Sequence, residues 1–153
     1  MKNSIYKLPT LIVILFLAFG YTSNKTEAIK KIDYYADASN KDQLLNIVKK
    51  ELADKRKPVL FFTATWCGPC KQFKNSLGDP LMIDALKGVT LIMIDGDIDA
   101  EKEKICQKYG IKSYPSYLRV DESGKLLKKT DGGAWDENIP KNMAPVLKKF
   151  MND

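Results

Sequence analysis

Histidine is absent from all 153 residues, and that absence removes whole classes of chemistry. Cys–His and Ser–His nucleophile pairs are impossible, as are an imidazole general base and an imidazole metal ligand. Any proton transfer has to use a carboxylate, a lysine, a thiol or water. Cysteine is scarce as well: only Cys67, Cys70 and Cys106 occur, short of the four ligands that a structural zinc site needs. With neither histidine nor a methionine cluster, a copper-carrying module is a poor match. No arginine cluster or basic–aromatic patch is present, which argues against nucleic-acid binding. The apolar stretch from Leu8 to Gly20 spans thirteen residues, too few for the ~20 of a membrane-spanning helix. Internal repeats and low-complexity segments are lacking.

What is present describes one domain of ordinary size, long enough to bury an adequate core. Apolar residues make up 44% and charged residues 29%, the balance of a globular chain and not of a disordered one. The net charge of +6 is spread over lysine pairs, Lys30-Lys31, Lys49-Lys50, Lys128-Lys129 and Lys148-Lys149, interleaved with acidic residues. Such a pattern reads as a solvated surface.

Residues 1–20 have a targeting layout. Lys2 and Lys7 form a positive start, Leu11 to Phe19 is unbroken apolar, and Ala18-Phe19-Gly20 puts small residues where a signal peptidase would cut before Tyr21. A cleaved secretory signal is expected in preference to a retained anchor, which would be the only route to a membrane. With no cysteine near its end, a bacterial lipoprotein is excluded. The mature protein is expected outside the cytoplasm, periplasmic or secreted, where disulfides persist. Residues 21–31 read as a polar linker and 32–153 as the folded domain.

Along that domain, Ile32 to Ala36 is expected as an edge strand. A helix capped by Ser39 or Asn40 should run to about Lys55, with Leu44, Val48 and Leu52 on its core face. Val59 to Thr63 and Val89 to Ile94 read as buried strands. Phe73, Leu77 and Leu81 have helical spacing, with a kink or restart at Gly78-Asp79-Pro80. Ala100 to Tyr109 should be helical and ended by Gly110. Ser116 to Val120 and Leu126 to Thr130 form a hairpin about Glu122-Ser123-Gly124. A last helix is expected from Asn142, with Pro145 in its first turn and Val146, Leu147 and Phe150 inward. This order predicts an α/β fold with a central mixed sheet flanked by helices on both faces.

The chemistry concentrates at Thr65-Trp66-Cys67-Gly68-Pro69-Cys70-Lys71, where a buried strand hands over to a helix. Residues three apart share a helix face with Cβ atoms roughly 5–6 Å apart, and a disulfide needs ~3.5–4.5 Å. Cys67 and Cys70 can therefore bond after a small adjustment. Cys67 would sit at the helix N-terminus, where free N–H groups and the helix dipole favour thiolate, the nucleophile of disulfide exchange. Pro69 suits the first turn. Half of a zinc site is the alternative, and redox chemistry is the better reading.

Trp66-Cys67-Gly68-Pro69-Cys70-Lys71 resembles the active site of thioredoxins. Tyr109-Gly110-Ile111, then Tyr114-Pro115-Ser116, resembles that family's approach to its cis-proline, and the resemblance runs from about Ile32 to Met151. It implies a thioredoxin-like fold without a cofactor beyond the redox-active Cys67–Cys70 disulfide. Cys67 would attack and Cys70 resolve. Trp66, Gly68, Pro69, Tyr114 and cis Pro115 would bind substrate, and the backbone of Tyr114 would pair with an extended segment. Gly132-Gly133 resembles the glycine loop beside the substrate groove. Cys106 is expected to be a buried structural thiol.

Three positions depart from the family pattern. Tyr114 replaces an aliphatic residue. Phe61 stands where thioredoxins usually bury an aspartate that helps deprotonate the resolving cysteine, and Leu91 aligns with that aspartate's lysine. With Lys57-Pro58-Val59 and Gly78-Asp79-Pro80, the substitution makes the chain similar to the soluble domains of periplasmic thiol–disulfide interchange proteins. The expected function is an exported thiol–disulfide oxidoreductase, a monomer acting on protein disulfides with a redox partner protein. The reducing direction follows from Gly-Pro between the cysteines, by family analogy. An oxidase or isomerase is the same-class alternative; a non-enzymatic thiol- or metal-binding module is the other.

Overall fold

The computed structural model describes residues 28–35, 42–96 and 100–153. The elements run β1 (Lys30–Asp33), α1 (Gln43–Ala53), β2 (Lys57–Thr63), α2 (Gly68–Ser76), α3 (Pro80–Ala85), β3 (Val89–Asp95), α4 (Ala100–Lys108), β4 (Ser116–Val120), β5 (Leu126–Asp131) and α5 (Pro140–Asn152). A single turn of 3-10 helix, Gly132–Ala134, follows β5. The five strands form one sheet in the order β1-β3-β2-β4-β5. The first three lie parallel, and β4 and β5 are antiparallel to their neighbours.

Strands buried on both faces favour apolar side chains at successive positions, which is why β2 reads as an apolar run over residues 58–62 and β3 over residues 91–94. Val59 and Phe61 of β2, with Val89 and Leu91 of β3, face a core shared with α2, α3 and α5. Leu60 and Phe62, with Ile92 and Ile94, face the second core under α1 and α4. The thioredoxin-like α/β architecture expected from the sequence is the one found.

Helix ends follow local chemistry. Asp79 caps α3 by accepting from the Leu81 N–H at 2.8 Å, and Pro80 takes the first helical position. Beyond α4, Gly110 has φ +58°. Its N–H reaches the Gln107 carbonyl and that of Ile111 the Cys106 carbonyl, a glycine-ended Schellman stop.

Other local expectations shift. β1 begins at Lys30, so Lys30 and Lys31 lie in the sheet and not in a linker. The leader, the caps proposed at Ser39 or Asn40, and Ala36 lie outside the described residues. α5 starts at Pro140, where a proline's fixed φ suits the first turn, so Pro145 lies inside the helix. Leu81 is 52% exposed and Leu52 39% exposed. The third buried position of α1 is Glu51, at 1% exposure.

A carboxylate takes that place because its partners converge on it. Lys30 of β1 pairs with one carboxylate oxygen, and the Thr90 hydroxyl donates to the other at 2.7 Å. Arg56 lies 3.5 Å from the carboxylate and donates to the carbonyls of Ala28 and Val89. Burial works to raise the Glu51 pKa, but the hydrogen bonds from Lys30 and Thr90 and the charges of Lys30 and Lys50 outweigh it and hold it below 4.5. A carboxylate with a lowered folded pKa contributes stability that is complete above its unfolded value and lost as pH falls through the folded one. Glu51→Gln is therefore expected to lose about 2–3 kcal/mol at neutral pH. Its denaturant midpoints should also fall less steeply with acid below about pH 4.5. Equal acid sensitivity in both proteins would show that this carboxylate contributes nothing to the pH dependence.

Candidate active site

Strand β2 ends at Thr63, and within a few residues the chain turns into α2. Cys67 is the N-cap of that helix, with Gly68 and Pro69 in its first turn. Cys67 and Cys70 are joined in a disulfide with Cα atoms 5.3 Å apart. The Cys70 N–H donates to Cys67 Sγ at 3.1 Å, so a free helix N–H points at the sulfur that would carry negative charge. Exposure barely separates the two cysteines, at 2% and 0%. Position does: Cys67 is at the helix start, and Cys70 is inside its first turn.

The expected substrate-binding residues come together around this pair. Trp66, Gly68 and Pro69 are exposed. The Trp66 ring meets that of Tyr114 edge-on, with centroids 5.8 Å apart. The Tyr114–Pro115 peptide is cis, and the Pro115 carbonyl accepts from the Gly132 N–H at 3.0 Å. A Cβ on Gly132 would lie 3.0 Å from Pro115 Cδ, so a side chain there would press on the proline ring. Cys106 is half-buried, less covered than expected, and its Sγ lies 3.6 Å from the Tyr114 hydroxyl.

Behind the disulfide the site is aromatic. Phe61 is fully buried and lies 4.9 Å from Phe73 and 5.1 Å from Tyr117, its cross-strand partner. Leu91 is buried in the same core. The Tyr117 hydroxyl makes no hydrogen bond among the described residues, and burial pushes its pKa well above 10. It stays protonated, so it can donate a hydrogen bond but cannot take a proton from Cys70 near neutral pH. Among the described residues the only buried carboxylate is Glu51, bound to Thr90 at the start of β3. The cysteines follow the other end of the parallel strands.

Two features escaped sequence reading. Gly96 gives room to the Tyr114 side chain, but in sequence it is one more turn glycine after a strand. Tyr117 looks like an ordinary strand aromatic, and only the register places it against Phe61.

The Thioredoxin family model matches residues 36–145. Thioredoxin-1 of Drosophila melanogaster is 30% identical over 99 residues, covering 64% of this chain and 86% of that protein. A disulphide isomerase from Xylella fastidiosa Temecula1 superposes with a TM-score of 0.52 at 26% identity, over 78% of this chain and 92% of the other. A thioredoxin from Trypanosoma brucei brucei, at 22% identity, shares the fold with a TM-score of 0.53 over 86% and 97% of the two chains.

Proposed function

The chain belongs to the thioredoxin family, and on that premise we propose that it is an exported oxidoreductase that reduces protein disulfides through a mixed disulfide on Cys67. The observation that carries this is the Cys67–Cys70 disulfide at a helix N-terminus, with the neighbouring Trp66 in ring contact with Tyr114, the residue before cis Pro115. In the reduced protein, Cys67 thiolate attacks one sulfur of a substrate disulfide and expels the other as thiolate. Cys70 thiolate then attacks Cys67 Sγ, releasing the second substrate thiol and re-forming the internal disulfide. Two electrons pass to the substrate, and a dithiol partner protein must return them before the next cycle.

The surroundings suit a protein substrate. Exposed Trp66 offers an apolar contact, and an extended substrate segment pairs with the backbone before Pro115. The reduction potential tests the direction. Equilibration with glutathione or dithiothreitol should give a value near the ~−270 mV of a reductase, and a value at or above about −180 mV would make the protein an isomerase or oxidase.

Export rests on the layout of residues 1–20, a positive start, a short apolar core and a small-x-small end. Among the described residues no helix is long and apolar enough to cross a membrane. Expression of the full chain should yield a product outside the cytoplasm that begins near Tyr21 by N-terminal sequencing. Full-length protein recovered with the membrane fraction would overturn export with cleavage.

A further inference from the structure

Resting on the reductase reading, we propose that Tyr114 is a positioning residue: anchored at Gly96 and Cys106, it holds the Trp66 indole in the orientation that recognises protein disulfides. Trp66 is 69% exposed. A ring so open to solvent samples several rotamers unless a neighbour restrains it. The edge of Tyr114 meets it at 5.8 Å with the planes 70° apart, the T-shaped geometry that aromatic pairs favour.

Tyr114 is itself held at both ends. Its ring packs against the two cores on either side of the sheet. Its hydroxyl sits over Gly96, where an added Cβ would come within 1.9 Å of the oxygen and 2.6 Å of Cζ. Only a residue with no side chain leaves that notch open, and the Gly96 N–H fixes the notch to the end of β2 through the Thr63 carbonyl at 2.9 Å. Cys106 Sγ, on α4, lies 3.6 Å from the same hydroxyl, within reach of a weak sulfur hydrogen bond. At the other end, the backbone of Tyr114 runs into Pro115, whose carbonyl is bound by Gly132. The side chain thus connects α4 and the end of β3 to the exposed indole beside Cys67.

A small disulfide needs only the Cys67 sulfur, whereas a protein disulfide must also lie across the surface that Trp66 forms. Loosening the anchor should therefore raise KM for a protein substrate by a clearly larger factor than for a small one. The test uses Tyr114→Phe, Tyr114→Leu, Gly96→Ala and the Gly96→Ala/Tyr114→Leu double variant. Insulin serves as the protein substrate and 5,5′-dithiobis(2-nitrobenzoate) as the small one. Fluorine NMR of 5-fluorotryptophan-labelled protein follows Trp66. Trp135, buried and bonded to Asn138 at 2.9 Å, is the internal reference.

Tyr114→Leu and Gly96→Ala should raise KM for insulin about three- to tenfold, and Tyr114→Phe about two- to threefold. The Trp66 resonance should move and that of Trp135 should stay. Because leucine has no atoms at the notch, Gly96→Ala should add nothing in the Tyr114→Leu background. An unmoved Trp66 resonance, or parallel losses with both substrates, would overturn the proposal. If Gly96→Ala does not fold, Tyr114→Phe and Tyr114→Leu decide it alone. A wild-type protein that fails to reduce insulin would overturn the reductase reading, and the Trp66 resonance would still decide the positioning role.

Discussion

Cys67→Ser is expected to abolish insulin reduction, by about a thousandfold or more, while Cys70→Ser captures partner proteins as stable mixed disulfides. The asymmetry follows from where α2 begins. Cys67 is its N-cap, and its sulfur accepts the Cys70 N–H, so negative charge on Cys67 is stabilised by the helix start. Without Cys67 no thiolate remains at the helix start, and Cys70, set inside the first turn of α2, does not take its place as the attacking group. Without Cys70 the first exchange still proceeds, but nothing attacks Cys67 Sγ to finish the cycle. Non-reducing gels and mass spectrometry of Cys70→Ser protein, recovered after exposure to oxidised substrates, should show adducts at Cys67. Adducts on Cys67→Ser protein instead, with Cys70→Ser inert, would reverse the assigned roles.

Phe61→Asp should give the second large effect, in two opposite directions. Phe61 is fully buried and its ring packs on Phe73 and Tyr117. Removing it leaves a cavity, and an aspartate there would bury a carboxylate, together a stability loss of about 3–5 kcal/mol. Tyr117, whose hydroxyl has no hydrogen-bond partner among the described residues and which pairs with position 61 across the strands, is a donor that could offset part of that loss. Phe61 and both cysteines belong to one core, so the new carboxylate would lie on the cysteine side of the sheet and could take a proton from Cys70. In the wild type the described residues of that core supply no such base, because burial keeps Tyr117 protonated. Resolution of the mixed disulfide should therefore be slow near neutral pH and quicken as pH rises, since only the thiolate attacks. Folded Phe61→Asp protein should resolve faster at pH 7. Stopped-flow decay of the mixed disulfide between about pH 6 and 9 measures both. A wild-type rate already fast and flat would assign the proton to another group, such as half-buried Asp95 at the end of β3.

The amino-acid sequence by itself determined the features that depend on near neighbours. Trp66 to Lys71 carried the disulfide, its place at a helix start and the family. The apolar runs within β2 and β3 marked strands covered on both faces, and Gly110 and Asp79-Pro80 marked a helix end and a helix start. All of these are set within a few residues, by dihedral preference, capping or side-chain period. Tertiary structure alone decided the rest. Glu51, not Leu52, faces inward because Lys30, Arg56 and Thr90 meet it there. Leu81 stays exposed because α3 turns other side chains, Met82 and Ala85, to the core. Phe61 meets Tyr117 through the register of two antiparallel strands, and Tyr114 reaches Gly96 and Cys106 across the end of the sheet. The partners in each of these contacts come from separate elements. Local preference cannot choose between them; only the closed packing of the whole chain fixes which side chains share a space.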